Sequence, residues 1–386
     1  MVKRKISEIL VEMSISFPIV TITGPRQSGK TTLAKMTFPN KNYVSLEDLD
    51  TRQFAENDPR GFLAKYPKGA ILDEIQHVPS LLSYIQTIVD SKQMNGMFIL
   101  TGSNQFEYVQ SISQSLAGRT GMLKLLPFSY NEIYHGQEST ENILFNGFYP
   151  RIFDQKIKPE LFLSAYLETY VERDVRSLIK LKDLLQFHRF LQLCAGRTGQ
   201  IINFSNIGND LGITHNTIRN WISILEASYI IYLLPPYHQN FNKRIIKSPK
   251  LYFVDTGLAA HLLGIENSNQ LITHPLRGEL FETFVVGEFL KYRYNCGKRS
   301  NLYYFRDHVG NEVDLVIETG NGNVPVEIKS SQTITAGFFK GLNYFNKISK
   351  TSPHSILIIN NNIEQERQEH SVIGYPHIEK FCKLLN

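Results

Sequence analysis

Four short apolar runs punctuate the amino-terminal part of the chain. They are Phe17–Thr23, Asn42–Leu46, Gly69–Glu74 and Met97–Asn104. Each is brief, rich in branched residues and bounded by turn formers, the pattern of a buried strand. Thr31 to Met36 reads as the first turns of a helix, and Leu49–Leu63 as polar helix or loop. From Pro159 to Cys194 the period lengthens. Leu161, Leu163, Tyr166, Leu167, Tyr170, Val171, Val175, Leu178 and Ile179 form a helical stripe, with Glu168, Glu172, Arg173, Asp174 and Arg176 on a charged face. In Asn203–Leu225, Ser205 is expected to cap one short helix, Gly212 to break it, and Thr214 to cap a second carrying Ile218, Trp221, Ile222 and Leu225. Ile230–Leu234 and Lys250–Val254 read as strands. After Gly278 a helix places Leu280, Phe281, Phe284, Val285 and Phe289 on one face. Glu312–Glu318 and Val324–Lys329 then alternate as strands, Phe338–Phe345 reads as a packing helix, and Ser355–Ile359 as a late strand.

The loop between the first run and its helix carries the clearest chemistry. Gly24-Pro25-Arg26-Gln27-Ser28-Gly29-Lys30-Thr31 fits G-x-x-x-x-G-K-[ST], between strand and helix as that motif requires. Glycines let main-chain N–H groups converge on a polyphosphate, and the helix N-terminus adds a favourable dipole. Residues 24–31 with Thr32 are therefore the expected ATP-binding set. Lys30 supplies a mobile charge and Thr31 a hydroxyl for Mg²⁺. Asp73 and Glu74 end a strand as a Walker B pair would, Asp73 holding Mg²⁺ and Glu74 orienting water. Asn104, with Ser103 behind it, is the candidate γ-phosphate sensor at a strand end. Arg119, between glycines, is a candidate for stabilising the transferred phosphoryl group, in cis or from a neighbouring subunit.

These runs resemble the AAA-type P-loop ATPases. More narrowly, Gly24–Leu33, Leu72–Gln76, Leu100–Asn104, and Leu116–Arg119 ahead of a Leu-Leu-Pro-Phe-Ser stretch resemble a prokaryotic family. Its members pair such an ATPase with a C-terminal region of unknown function. The resemblance implies a parallel αβα sheet, a short lid near Gly147–Arg151, and homo-oligomers.

The segment Asn203–Leu225 has the layout of a helix-turn-helix, its second helix offering His215, Asn216, Arg219 and Asn220 outward. With the following strands and Lys243, Arg244 and Lys247 between them, it reads as a winged helix with a positive wing. Arg219, Asn220, Lys243 and Arg244 are the expected DNA contacts. Farther on, Glu288 falls near the middle of an apolar helix face and Glu282 on its flank, costly positions without a partner or cation. Alternation lets Asp314, Glu327 and Lys329 converge if their strands are neighbours. The acids would suit Mg²⁺, and Lys329 could position water. This D…E-x-K arrangement resembles the restriction-endonuclease-like superfamily, which implies Asp314 and Glu327 as metal ligands, and Glu282 or Glu288 closing the site.

The expected fold class is α/β throughout. A P-loop domain with a short lid would occupy residues 1–155, a helical and winged-helix domain 156–265, and a restriction-endonuclease-like domain 266–386. Composition changes little: 386 residues, 42% hydrophobic and 20% charged, make an ordinary globular chain, and a net charge of +5 is compatible with DNA. Three scattered cysteines suggest no disulfide framework or metal motif. The basic start lacks an apolar stretch, and no run approaches the ~18 apolar residues of a membrane span. A cytoplasmic ATPase acting on DNA is expected, with nuclease action open. The alternative is a nucleotide-controlled DNA-binding or protein-remodelling switch, so a protein partner also stays open.

Overall fold

Alternation within the short buried strands decides the layering of the first unit. The computed structural model describes residues 2–102, 115–136, 138–171, 184–237, 247–349, 354–367 and 369–385. Ser103, Asn104, Lys243 and Arg244 lie outside them. The first unit comprises Met1–Phe128 with Ala227–Tyr229 and Arg293–Lys298. Its strands are β1 (Ile19–Thr23), β2 (Tyr43–Ser45), β3 (Ile71–Asp73), β4 (Phe98–Thr101) and β5 (Thr120–Lys124), in the order β2-β3-β4-β1-β5. Every pairing is parallel. One face sends Val20, Ile22, Ile71, Ile99 and Leu123 into a core with Ile6, Leu10, Leu33 and Ala34, from helices α1 (Ser7–Ser16) and α2 (Lys30–Thr37) and the turn before α1. The other sends Ile19, Leu72, Phe98 and Leu100 toward Leu81, Leu82, Ile85 and Val89 of α3 (Leu81–Lys92). Helices on both faces require strands apolar on both faces, hence unbroken apolar runs in place of alternation.

The second unit comprises Ser129–Glu226, Ile230–Tyr292 and Arg299–Asn386. Its early segment departs from the expected stripe at one position. In α4 (Pro159–Tyr166), Phe162, Leu163 and Tyr166 are buried while Leu161 is exposed. Of Gly147–Arg151, where the resemblance places a lid, Gly147 to Pro150 are buried and Arg151 is exposed. Phe148 stacks on Phe284 at 5.6 Å and donates its N–H to Asp255 at 2.7 Å.

Helices α5 (Leu184–Ala195), α6 (Phe204–Leu211) and α7 (His215–Ala227) form a small helical core. The cap of α6 is Asn203, whose side chain accepts from Asn206 N at 3.0 Å, so Ser205 lies inside the helix. Both residues are good caps; the chain turns helical two positions earlier than Ser205 suggests. Gly212 ends α6 at φ +68, and Thr214 Oγ1 accepts from Thr217 N at 3.2 Å to start α7. Three strands, β6 (Gln200–Ile201), β7 (Ile231–Leu234) and β8 (Lys250–Phe253), follow in the order β6-β8-β7, all antiparallel.

The remaining six strands make a mixed sheet. They are β9 (Leu302–Arg306), β10 (Glu312–Thr319), β11 (Gly322–Lys329), β12 (Ser355–Ile359), β13 (Glu364–Arg367) and β14 (His370–Gly374), ordered β13-β14-β12-β11-β10-β9. β9, β10 and β11 form an antiparallel meander, and β12 joins β11 in parallel. A long helix, α8 (Arg277–Asn295), precedes this sheet, and α9 (Lys340–Ser349) packs on it. The chain is thus a parallel α/β sheet followed by further α/β structure. Among the described residues no helix is long and apolar enough to cross a membrane.

Trp221 meets Phe187 and Phe190 of α5 edge-on, at 5.4 and 5.1 Å. Trp221→Ala is expected to destabilise this helical core by about 3–5 kcal/mol. Urea unfolding followed by circular dichroism measures it, because the substitution removes the single tryptophan.

Candidate functional site

The glycine loop starts where β1 ends. Gly24 has φ +147, and a Cβ there would lie 2.1 Å from Leu125 O, so only glycine fits. Gly29, at φ +91, precedes α2, and no side chain caps that helix. Its first N–H groups are the kind of donors an anion takes. Lys30 Nζ donates to Gly24 O at 3.1 Å and Pro25 O at 2.8 Å. Ser28 Oγ is buried with no partner. Thr32 is exposed on the first turn.

Asp73 is the hub beside this loop. It is 5% exposed and accepts from Thr31 Oγ1 at 2.9 and 3.0 Å, from Tyr43 OH at 2.8 Å, and from Thr101 Oγ1. Burial, then the Asp73 charge, push the Tyr43 hydroxyl up to about 12, so it remains a donor. Glu74 follows at φ +55, a left-handed conformation costing of order 1 kcal/mol. Gln76 Nε2 donates to Glu74 Oε2. An orphaned hydroxyl, a cradle that a Cβ would fill, and a hydroxyl touching a carboxylate together fit a nucleotide with Mg²⁺.

Sequence reasoning missed one residue here. Arg4 is buried, and its guanidinium donates to Ser28 O at 2.9 Å, Leu126 O at 2.7 Å and Pro127 O at 3.4 Å while lying over the Phe128 ring at 4.7 Å. It ties the glycine loop to the segment leaving β5. No local pattern marks it, since its partners are remote in sequence.

Arg119 is placed against the expectation of a role in cis. Thr120 pairs with Ile19 and Lys124 with Thr23, so Arg119 sits where β1 begins and the glycine loop where β1 ends. The five residues of β1 lie between them, roughly 17 Å. Its side chain instead clasps Asp90 at 2.6 and 2.8 Å.

In the second unit, Asp314, Glu327, Lys329 and Glu282 come together. Lys329 Nζ lies 2.6 Å from Glu327 Oε1 and 3.3 Å from Asp314 Oδ2, which also accepts from Ile328 N at 2.9 Å. A residue outside the expected set completes the group. Lys250 of β8, its side chain 3% exposed, lies 3.0 Å from Glu282, 2.6 Å from Glu312 and 3.9 Å from Asp314. Arg306 pairs with the second oxygen of Glu312 at 3.1 Å, and Tyr252 OH donates to Glu282 at 2.5 Å.

Asp314 and Glu327, the two expected metal ligands, thus share Lys329 as a partner. Ammonium groups sit among these carboxylates, and among the described residues no group of three or more acids, histidines or cysteines is arranged to hold a metal ion. Burial, then the charge of Asp314, raise Glu327 to about 8 despite Lys329. Burial raises Glu282 to about 7 despite Lys250. Glu288 is placed apart from this group. It accepts from Lys291 Nζ at 2.9 Å and Tyr130 N at 2.8 Å, a separate set of partners. Six positions after Glu282 on α8, it points elsewhere around the helix. Arg219 and Asn220 are exposed on α7, Arg219 over the Phe204 ring at 5.7 Å.

Residues 16–134 match the AAA domain family. Residues 137–269 match a domain of unknown function, DUF8612, and residues 277–378 another, DUF4143. An uncharacterized protein of Mycobacterium tuberculosis is 28% identical over 321 residues, spanning 82% of this chain and 71% of that one. One from Haemophilus influenzae is 23% identical over 284 residues, spanning 65% of this chain and 70% of that one. Among solved structures, the Walker-type ATPase of Pyrococcus abyssi aligns over 67% of this chain and 94% of its own, at 14% identity and a TM-score of 0.43.

Two outcomes follow. Arg4→Met is expected to weaken binding of a fluorescent ATP analogue several-fold while leaving the far-ultraviolet dichroism intact. Glu327 lies above its ordinary 4.5, so the folded chain keeps a proton there that the unfolded chain loses between about pH 4.5 and 8. Its contribution to stability is full below 4.5 and is lost as pH rises through 8. Glu327→Gln should therefore flatten the loss of melting temperature between about pH 5 and 8.

Proposed function

We propose that this chain binds and hydrolyses ATP with Mg²⁺ and acts on DNA. The contact of Thr31 with Asp73 beside the Gly24–Lys30 loop carries the reading. Main-chain N–H groups of the loop and of the start of α2 would take the phosphates, and Lys30 would turn to them from the Gly24 and Pro25 carbonyls. Thr31 and Asp73 would hold Mg²⁺, which neutralises charge on the β and γ oxygens when bound. Glu74 would orient the attacking water, and Asn104 would sense the γ-phosphate. Arg119 is too far along β1 to serve its own chain, so it would act on a neighbouring copy's nucleotide in a homo-oligomer.

DNA would be met by α7, through Arg219 and Asn220, with Lys243 and Arg244 of the following segment on phosphates. The exposure of Arg219 and Asn220 on the second helix of a helix-turn-helix supports this. The meander β9–β11 with β12 and α8 is read as a restriction-endonuclease-like fold. Its two lysines among the acids favour a binding module without Mg²⁺-dependent cleavage. The chain is then a nucleotide-controlled DNA-binding switch.

Glu74→Gln should retain ATP while turnover falls by about two to four orders of magnitude. Lys30→Ala should lose ATP binding itself. Turnover by Glu74→Gln at the wild-type rate contradicts the water-orienting role. Arg219→Ala with Lys243→Ala should weaken duplex DNA binding and reduce its salt slope by about two. Affinity measured at two salt concentrations tests it, and an unchanged slope removes the helix-turn-helix from the DNA contacts.

A further inference from the structure

We propose that the ammonium group of Lys250 takes the cation position of the carboxylate cluster, making it a metal-free joint between the small β-sheet and the C-terminal sheet. The inference rests on reading the C-terminal part as a nuclease-type fold, in which acids at these positions would otherwise gather a divalent ion.

Three observations carry it. The first is position: Lys250 Nζ lies within 4 Å of carboxylates from two elements, Glu282 of α8 and Glu312 and Asp314 of β10. The second is fixation. Lys250 pairs with Ile201 on one side and Leu234 on the other, so its backbone is held in the middle strand of its sheet, and its side chain is 3% exposed. A lysine so placed is not a mobile surface cation that an incoming ion could push aside. The third is charge. Glu282, Glu312, Asp314 and Glu327 face Lys250, Lys329 and Arg306 at salt-bridge distance. A buried ammonium persists only where acids compensate its desolvation, and the acids likewise need it. Inserting a divalent ion would set it against Lys250 at near-contact range.

The test uses the full chain without nucleotide, titrated with Mn²⁺ by calorimetry, alongside melting in Mn²⁺ and in EDTA. The wild type should show no Mn²⁺ site that depends on Asp314, and equal melting in both buffers. Lys250→Met should melt lower in EDTA, gain one saturable Mn²⁺ site, and recover part of its stability in Mn²⁺. Adding Asp314→Asn should abolish that site. A wild-type Mn²⁺ site lost in Asp314→Asn overturns the proposal, and so does a folded Lys250→Met protein that gains no site. If Lys250→Met does not fold, the wild-type comparison with Asp314→Asn still decides. Mn²⁺ is read directly, so this result stands apart from DNA binding, which tests the earlier reading in the same preparation.

Discussion

Parallel strands bring all their carboxyl ends to one edge, and the proposed nucleotide site of this chain depends on that constraint. The loop after β1 and the acids ending β3 are far apart in sequence, yet the register brings them to the same sheet edge with only β4 between their strands. Asp73 shows the energetic side. A buried carboxylate is costly unless its lone pairs are used, and hydroxyls from Thr31, Tyr43 and Thr101 use them. Thr31 lies on the helix after the loop, Tyr43 on the neighbouring edge strand and Thr101 at the end of β4. The carboxylate thereby pins three elements of one sheet edge against each other.

The second unit solves the same problem with opposite charges. Its acids are buried in numbers that hydroxyls alone could not serve, and lysines from β8 and β11 answer them. β8 thus serves twice, as the middle strand of the small sheet and as the source of Lys250. The raised Glu327 and Glu282 show that the compensation is incomplete: desolvation outweighs the attraction of the nearby ammonium groups.

What could be read from the sequence follows the range of the interactions. The glycine loop, the acids ending β3 and the Gly212 turn depend on neighbours in sequence, so spacing reveals them. Asp314, Glu327 and Lys329 were also legible, because strand alternation fixes their faces and one hairpin aligns them. Lys250 and Arg4 were not, since each acts on partners that only the tertiary register supplies. The choice between Glu282 and Glu288 turned on helix phase, which a wheel gives without saying which side a lysine will approach. Ser205 yielded to Asn203 because two good caps stood two residues apart. Leu161 went to solvent because the buried face of its helix is drawn by Phe162, Leu163 and Tyr166.

The tether made by Arg4 has a bearing on how the chain assembles. It joins one end of the unit to Ser28, 24 residues away, and to Leu126, 122 residues away. During synthesis the first strands can collapse early, but this clasp must wait until the last strand of the sheet has emerged and docked. The phosphate loop would therefore acquire its final shape late, as a closing step of folding. A chain stalled before that strand would carry the whole motif yet hold it loosely.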